Sequence, residues 1–233
     1  MRPILLDVEA VEHGAGGAAE QDDQPADEDG ACHVIPHGGH QDRARAASGG
    51  PSAPQARFRQ AQLLEEKGDI QEAFTAYDQF LSRFQGSSLY TTALNRQATM
   101  AQSAAEGEVK TSFLGLKSKL SLDKTVQMLG KVRDNAPKSR TASKAQFTIG
   151  ELYQAKGKAK EAIAAFRQLV RDQPESPEAP EALFRVGLIL MQEADRGNQN
   201  QANLDLSREA FNDYLIQYPN HSRNTEARKL LGG

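Results

Sequence analysis

The feature that most constrains the fold of this chain is a short frame of residues that recurs along it. In the clearest copy, Ala162, Phe166 and Leu169 lie at positions i, i+4 and i+7, which is one face of a helix. Pro174 follows where that helix has to end. The frame recurs in three other segments, built from Ala73, Tyr77, Phe80 and Gln85-Gly86, from Thr125, Leu129, Val132 and Pro137, and from Ser207, Phe211, Tyr214 and Pro219. Repetition of this kind predicts a helical repeat protein in which each copy buries the same face.

A second frame precedes each copy and predicts a partner helix. A small residue lies thirteen positions after each stop position, and one also precedes the first copy; these residues are Ala61, Ala98, Gly150, Gly187 and Gly232. Twelve residues separate Gly150 from Ala162, and the same number separates Ala61 from Ala73. A small residue in the middle of one helix lets it approach the alanine of the next closely. Each copy is therefore predicted to be an antiparallel helix pair with short loops.

These positions resemble the tetratricopeptide repeat. That repeat has a small residue in the middle of helix A, an aromatic residue three positions later, and an alanine, an aromatic residue and a proline along helix B. Tyr153 after Gly150 fills the aromatic position of helix A. The resemblance covers about 55–233 and implies an all-α, tetratricopeptide-type solenoid, a right-handed superhelix of helix pairs.

Two segments are similar to one branch of that family. Residues 174–187 resemble the linkers, and residues 211–222 the helix ends, of bacterial envelope repeats. The branch includes BamD-like outer-membrane assembly lipoproteins and the YbgF/CpoB-type periplasmic protein associated with the Tol-Pal system. This resemblance implies a scaffold that serves assembly or maintenance of a bacterial cell envelope. Two rival interpretations stay open: a cytoplasmic adaptor or co-chaperone, and a regulatory domain detached from a larger enzyme.

The boundaries of the repeats follow from the frames. The predicted helix pairs span about 55–86, 88–138, 141–175 and 177–220, and a terminal helix spans 223–231. In two of the pairs, the distance from the small residue of the first helix to the first frame residue of the second is longer than twelve residues. The extra residues at 106–120 either lengthen both neighbouring helices or form a loop, and those at 195–201 are predicted to form a solvated loop.

Residues 1–54 differ in composition from the rest of the chain. They carry three Arg against ten Asp or Glu, a net charge of −7, and show no apolar period. We expect this segment to be disordered, because it has too little apolar surface to offset its ordering entropy. Cys32 and the nearby His33, His37 and His40 match no structural zinc spacing, so we expect no metal there. The segment is either native to the mature protein or an addition upstream of its true start.

Targeting signals are weak in this sequence. The apolar stretch 4–6 is interrupted by Asp7, so it does not read as a signal peptide. Cys32 follows two small residues, as in a lipoprotein signal, but five acidic residues stand between 22 and 29, where an apolar segment should be. The residues thus leave the localisation open, and a periplasmic place is implied by the resemblance alone.

Several function classes are disfavoured by the residues of 55–233. This part has a net charge of +4 without a dense basic stripe, which argues against nucleic-acid binding. Its one histidine, His221, stands beside Asn220 and Ser222 at a predicted helix start, where capping is the expected use. No glycine-rich phosphate loop and no nucleophile-base set is found. We expect no catalytic residue, cofactor, metal, membrane span or small-molecule substrate.

A binding surface is the remaining candidate, and the predicted partners are other proteins or peptides. In stacked helix pairs the first helices line the concave face. Positions three before, one after and four after each small residue give the candidate set Phe58, Gln62 and Glu65; Asn95, Thr99 and Gln102; Phe147, Glu151 and Gln154; Phe184, Leu188 and Met191. The three phenylalanines are either core residues or the apolar bottom of a groove for an amphipathic or extended peptide.

Overall fold

The structure, a computed structural model, describes residues 52–113, 116–196 and 200–232. Within these ranges it contains nine helices and one hairpin. In chain order the elements are α1 (Ala53–Glu66), α2 (Ile70–Arg83), α3 (Tyr90–Glu106), β1 (Lys110–Phe113), β2 (Leu116–Lys119), α4 (Leu122–Asn135), α5 (Arg140–Ala155), α6 (Ala159–Asp172), α7 (Ala179–Arg196), α8 (Gln201–Gln217) and α9 (Asn224–Leu230). The prediction of an all-α, helix-pair solenoid is confirmed. The expected disorder and the Cys32 cluster lie outside the described residues.

The first helix begins earlier than the boundary predicted at residue 55. It starts at Ala53, and Pro54 stands in its first turn. Proline fits there because its ring presets a helical φ and the N–H that it lacks would have no partner in the helix. The backbone N–H of Ser52 donates to Gln55 Oε1 at 2.9 Å, which closes the helix start. Pro54, which was predicted to lie in the disordered segment, is therefore a helix-start residue.

The second helix of each pair buries the face that the recurring frame marks. In α6, Ala162, Phe166 and Leu169 are buried, and in α8 the rings of Phe211 and Tyr214 are buried. The frame prolines lie just after the helices: α4, α6 and α8 each end two residues before Pro137, Pro174 and Pro219 respectively. A proline disfavours the helical conformation of the residue before it, which accounts for this spacing.

Two glycines let the helices of a pair approach closely. A Cβ built on Gly150 would lie less than 3.0 Å from the ring of Phe166, and one on Gly187 would lie 2.7 Å from Phe211 Cε1. The nearest atoms to Gly150 belong to Phe166 rather than to Ala162, which was expected to face it. The glycine thus makes room for the aromatic residue one turn further along α6.

The pairs stack in chain order. Each helix packs against its sequence neighbours, and the first helices of successive pairs also touch, α3 with α5 and α5 with α7. One apolar cluster extends from Phe58 to Ala165, and two smaller ones centre on Phe166 and Phe184. Such neighbour-to-neighbour packing is the organisation of a solenoid.

The two long spacings are filled differently from the prediction. Of the described residues between 106 and 120, 110–113 and 116–119 form the strands β1 and β2, which pair antiparallel, from Lys110 with Lys119 to Phe113 with Leu116. At 195–201, α7 extends through Arg196 and α8 begins at Gln201, while 197–199 are not described. The side-chain oxygen of Asn200 accepts from the N–H of Ala202 and caps α8. Asp195, Arg196 and Gln201, which were predicted to lie in a loop, are therefore helical.

Candidate functional site

A groove of about 510 Å³ lies between α3, α4 and α5. One wall is α3, the other is the start of α5, and α4 contributes to the floor. The residues that matter for its chemistry are Asn95, Ala98, Thr99, Gln102 and Glu106 from α3, Leu129 and Val132 from α4, and Arg140 and Lys144 from α5. A concave site with apolar residues beneath and a few polar groups on the walls is the usual form of a ligand site in proteins.

The α3 wall contains the predicted residues of the second repeat. Asn95, Thr99 and Gln102 lie at i, i+4 and i+7, so one helical face brings all three to the groove. Thr99 Oγ1 donates to the carbonyl of Asn95 at 3.0 Å, and Gln102 Nε2 donates to Glu106 Oε1 at 2.8 Å. This wall therefore offers amide groups whose remaining donors and acceptors are available to a ligand.

The α5 wall is basic. Arg140 and Lys144 stand one turn apart, and both are exposed. Among the ion pairs between described residues, none involves either of them. Glu106 is the acidic lining residue. The groove thus presents two basic groups that are not paired within the described part of the chain.

Two of the predicted phenylalanines are core residues, which is one of the two alternatives that the sequence left open for them. Phe58 is buried, with its ring centroid 5.6 Å from those of Tyr77 and Phe80. Phe184 is 0% exposed and packs edge-on against Phe211, with the centroids 5.3 Å apart. The reason is geometric: the position three residues before the small residue points toward the second helix of its own pair.

Phe147 is half-buried and takes part in a cation–π contact. Its ring centroid lies 5.4 Å from that of Phe166, and the Arg185 guanidinium lies 5.0 Å from the Phe147 centroid. Arg185 also pairs with Glu151 at 3.0 Å and lies 3.5 Å from Gln154 Oε1. These predicted side chains of α5 therefore hold α7 in place, which lowers their availability to a partner.

Glu65, another residue predicted for the binding surface, likewise makes contacts between helices, here between α1 and α3. Glu65 Oε2 accepts from the Tyr77 hydroxyl at 2.9 Å and from Arg96 Nη1 at 2.8 Å. Burial of Tyr77, and next its hydrogen bond to the Glu65 carboxylate, raise the pKa of the phenol above its usual range, because both disfavour the phenolate. Glu65 is thus a structural link between two first helices.

The remaining predicted residues lie away from the groove. Gln62 on α1 accepts from Arg59 Nη1 at 3.4 Å. Leu188 is half-buried and packs against the cluster around Phe184, and Met191 is half-buried one turn further along α7. The structure therefore brings the predicted residues of one repeat together in a groove, and it leaves these three apart.

Sequence reasoning missed the basic wall. Arg140 and Lys144 stand ten and six positions before Gly150, whereas the predicted positions lie three before, one after and four after it. The signal was present, because the first ten residues of α5 contain two basic residues and no acidic one. The floor residues Leu129 and Val132 had been identified only as packing positions.

Other kinds of site find no support in the described residues. His221 does not cap a helix as predicted; its Nδ1 lies 2.6 Å from the Tyr214 hydroxyl oxygen. In the same part of the chain no group of three His, Cys, Asp or Glu side chains could hold a metal ion. No helix there is long and apolar enough to cross a membrane.

The comparison with known protein families agrees with this architecture. A family model described as "Tetratricopeptide repeat" matches residues 42–88 and 147–222. No curated protein matches the chain. A tetratricopeptide repeat protein from Parabacteroides merdae ATCC 43184 is similar at 16% identity and a TM-score of 0.42, over 76% of this chain and 58% of that one. MamA from Desulfovibrio magneticus RS-1 is similar at 16% identity and a TM-score of 0.36, over 72% and 77% respectively.

Proposed function

Because this chain belongs to the tetratricopeptide repeat family, we propose that it is a non-enzymatic scaffold that binds other proteins or peptides. The observation that supports this is the groove between α3 and α5, with amide groups on one wall and two basic groups on the other. Surfaces of this shape suit a segment of polypeptide, because an extended chain offers backbone groups to amides and side chains to pockets.

The chemistry of the groove favours a peptide with an acidic residue. Arg140 and Lys144 provide several N–H donors, and both form strong charge-assisted hydrogen bonds to a carboxylate. Asn95 and Gln102 on the opposite wall can donate to and accept from the peptide backbone. Between the walls, Ala98 is half-buried and contributes a small apolar surface for one neighbouring side chain. We therefore propose an extended ligand in which an acidic residue adjoins an apolar one.

A peptide-array experiment tests this proposal with the full-length chain. Arrayed decapeptides that vary acidic and apolar positions are probed with the wild-type protein and with Arg140→Glu, Lys144→Glu. We expect wild type to retain acidic-apolar peptides and the double variant to lose them by at least about tenfold, because attraction becomes repulsion. Lys156→Glu with Lys160→Glu is the matched control, since both lysines are exposed and lie outside the groove lining. An unchanged peptide set in the groove variant would rule out this site.

The face of α7 that bears Leu188 and Met191 is a second candidate surface. It was predicted from the positions of these residues one and four after Gly187. Both side chains are partly exposed, and they lie at i and i+3 on one face. Leu188→Glu with Met191→Glu, in the same array, should leave acidic-apolar peptides bound if the α3–α5 groove is the site. If the acidic-apolar peptides are lost in this variant and retained in the groove variant, the binding site lies on α7 instead.

Within this function we propose a role in assembly or maintenance of a bacterial cell envelope. The support is the resemblance of residues 174–187 and 211–222 to envelope repeats. Fractionation of native cells, followed by sequencing of the mature N-terminus, tests it. A start processed near residue 50, or lipid on Cys32, would support the envelope. An intact Met1 in the cytosol would instead favour the adaptor or co-chaperone, and recovery within a longer polypeptide would favour the regulatory domain of an enzyme.

A further inference from the structure

The surface formed by α6 and α8 has one basic half and one acidic half. A groove of about 510 Å³ lies between these two helices. Its α6 side carries Arg167 and Arg171, and its α8 side carries Glu209 and Asp213. All four residues are exposed, and in each pair they lie four positions apart, on one helical face. The two sides of this α6–α8 groove therefore have opposite charges.

The charges of the α6–α8 groove are not paired with each other within the described part of the chain. Arg171 pairs with its neighbour Asp172, at 3.6 Å. The other charged residues of the groove form no ion pair with a described residue; they are Arg167, Glu209 and Asp213. Like charges four positions apart also repel each other along a helix. A partner surface with the reverse charges would relieve this repulsion on both sides of the groove.

Apolar residues lie beside the charges on α8. Leu206 and Ile216 are two of the three exposed large hydrophobic residues in the described part of the chain. With Glu209 and Asp213 they occupy positions i, i+3, i+7 and i+10, which is the seam by which one helix packs on another. On α6, the exposed Ala164 shares the face of the two arginines, and its small side chain leaves room for a neighbouring helix. The surface thus combines apolar residues that a helix contact can bury with charges that orient the contact.

A surface divided in this way is complementary to a second copy of itself. Successive helices are antiparallel, so α6 and α8 run in the same direction. A two-fold axis along the groove therefore places α6 of one copy on α8 of the other, and the reverse contact forms by symmetry. The two arginines of each copy then face the two carboxylates of the other, because all four residues line the same groove. A two-fold axis across the helices would instead oppose like charges.

We propose that the α6–α8 groove and the helix faces beside it form the interface of a symmetric homodimer. A nucleic acid or an anionic bilayer is disfavoured as the partner, because the acidic half of the surface would repel it. Helix α6 has 14 residues and is about 21 Å long, so two helices about 10 Å wide give a contact of roughly 400 Å² per copy. Interfaces of this size are weak and transient, so we expect a dissociation constant in the micromolar range.

The homodimer goes beyond the proposed scaffold function and does not rest on it. None of these α6 and α8 residues lines the groove between α3 and α5. A dimer can therefore fail to form while the peptide site still binds, and the two failures are distinguishable. Where both sites act, one dimer carries two peptide grooves, so a ligand with two acidic-apolar segments binds more tightly than a ligand with one.

Sedimentation equilibrium of the full-length chain over about 2–200 µM tests the inference. We expect wild type to dimerise across this range and to dissociate as salt is raised, since salt screens exposed charges. Arg167→Glu with Arg171→Glu makes both sides of the groove acidic, and Glu209→Lys with Asp213→Lys makes both sides basic. Each double variant alone should dimerise at least about a hundredfold more weakly, because attraction becomes repulsion. An equimolar mixture of the two should restore the dimer, because each acidic face then meets a basic one.

A matched variant separates this contact from general charge attraction. Lys124→Glu with Lys138→Glu makes the same change in charge at exposed positions outside the groove. It should dimerise like wild type within about threefold, and it should not restore a dimer with the Glu209→Lys, Asp213→Lys variant. Circular dichroism confirms that each variant keeps its helices.

Three results would each overturn the homodimer. Wild type that stays monomeric up to about 200 µM would leave the surface to a different protein. A dimer that neither charge variant weakens would have its contact elsewhere on the chain. Folded charge variants whose mixture stays monomeric would show that the two halves of the surface do not meet.

Discussion

At the scale of single residues, the helix pairs depend on glycines at positions where a side chain would either clash with a neighbour or strain the backbone. Gly150 and Gly187 face aromatic rings across a helix pair. Gly68 and Gly157 stand at the turn of their pair with positive φ, at 82° and 68°. The two kinds of glycine serve different purposes, because the first kind gives space and the second gives a backbone conformation. Substitutions separate the two effects.

Gly150→Leu should lower the free energy of unfolding by about 3 kcal/mol or more, because its side chain would overlap the buried ring of Phe166. Gln154→Ala, on the same helix, should change it by less than about 0.5 kcal/mol, since Gln154 is half-buried and makes only a long contact to Arg185. Urea unfolding followed by circular dichroism measures both. Coincident midpoints for the two variants would contradict the packing described here.

Gly157→Ala should lower the free energy of unfolding by about 1 kcal/mol, although nothing lies within 4 Å of the added methyl group. The cost arises because φ at this turn is 68°, where a residue with a Cβ is strained. Gly86→Ala is the control, since Gly86 also has open space but no positive φ. If the two alanine variants have the same thermal midpoint, backbone strain is not the reason for Gly157.

The raised pKa of Tyr77 predicts that the folded protein loses stability in alkali. Burial and the Glu65 carboxylate raise its pKa in the folded protein above the unfolded value of about 10. The resulting stabilisation is complete below about pH 10 and is lost as the pH rises above it. Tyr77→Phe should therefore reduce the fall in unfolding free energy between about pH 9 and pH 11. The fall should not vanish, because burial also raises the pKa of Tyr214 and Tyr218. Identical pH profiles for the two proteins would argue against this role of Tyr77.

At the scale of elements, the short helix α9 packs on the helix pair α7–α8 and covers part of its apolar face. Ala227 of this helix is buried, and the Arg223 guanidinium stands 3.8 Å from the centroid of Phe184. Arg223 also pairs with Glu181 and Glu226, at 2.9 Å each. The last helix pair would otherwise expose part of its apolar face, as uncapped repeat arrays do. Helix α9 covers the buried rings of α7 and α8, since Ala227 lies in one apolar cluster with Phe184 and Tyr214.

Truncation after Ser222 should therefore lower the thermal midpoint by several degrees, since a repeat array needs its cap. Arg223→Ala should produce part of this loss, by removing the cation–π contact and both ion pairs. Arg208→Ala serves as control, because Arg208 is exposed and pairs only with the nearby Asp205 in the described structure. A truncated chain as stable as the whole one would show that α9 is not a cap.

At the scale of the whole molecule, residues 1–51 are predicted to be dispensable for folding of the solenoid. The segment is acidic and has no apolar period, so it has little surface to bury. Deleting it should shift the thermal midpoint by no more than about two degrees. The cut is placed before Ser52, because Ser52 and Pro54 belong to the start of α1. A fall of about ten degrees would instead show that this segment contributes to the fold.

The sequence by itself determined the helix pairs, because the frame around Ala162 and Phe166 repeats the period of a helix and its stop signals. Such information is local and is read within one turn or one pair. The tertiary structure decided that Phe184 is core, that Glu65 and Glu151 link neighbouring helices, and that Arg140 faces Asn95 across a groove. Those outcomes depend on the relative placement of three helices. Contacts between residues distant in sequence determine that placement. Helical periodicity is a local pattern, so these contacts cannot be predicted from it.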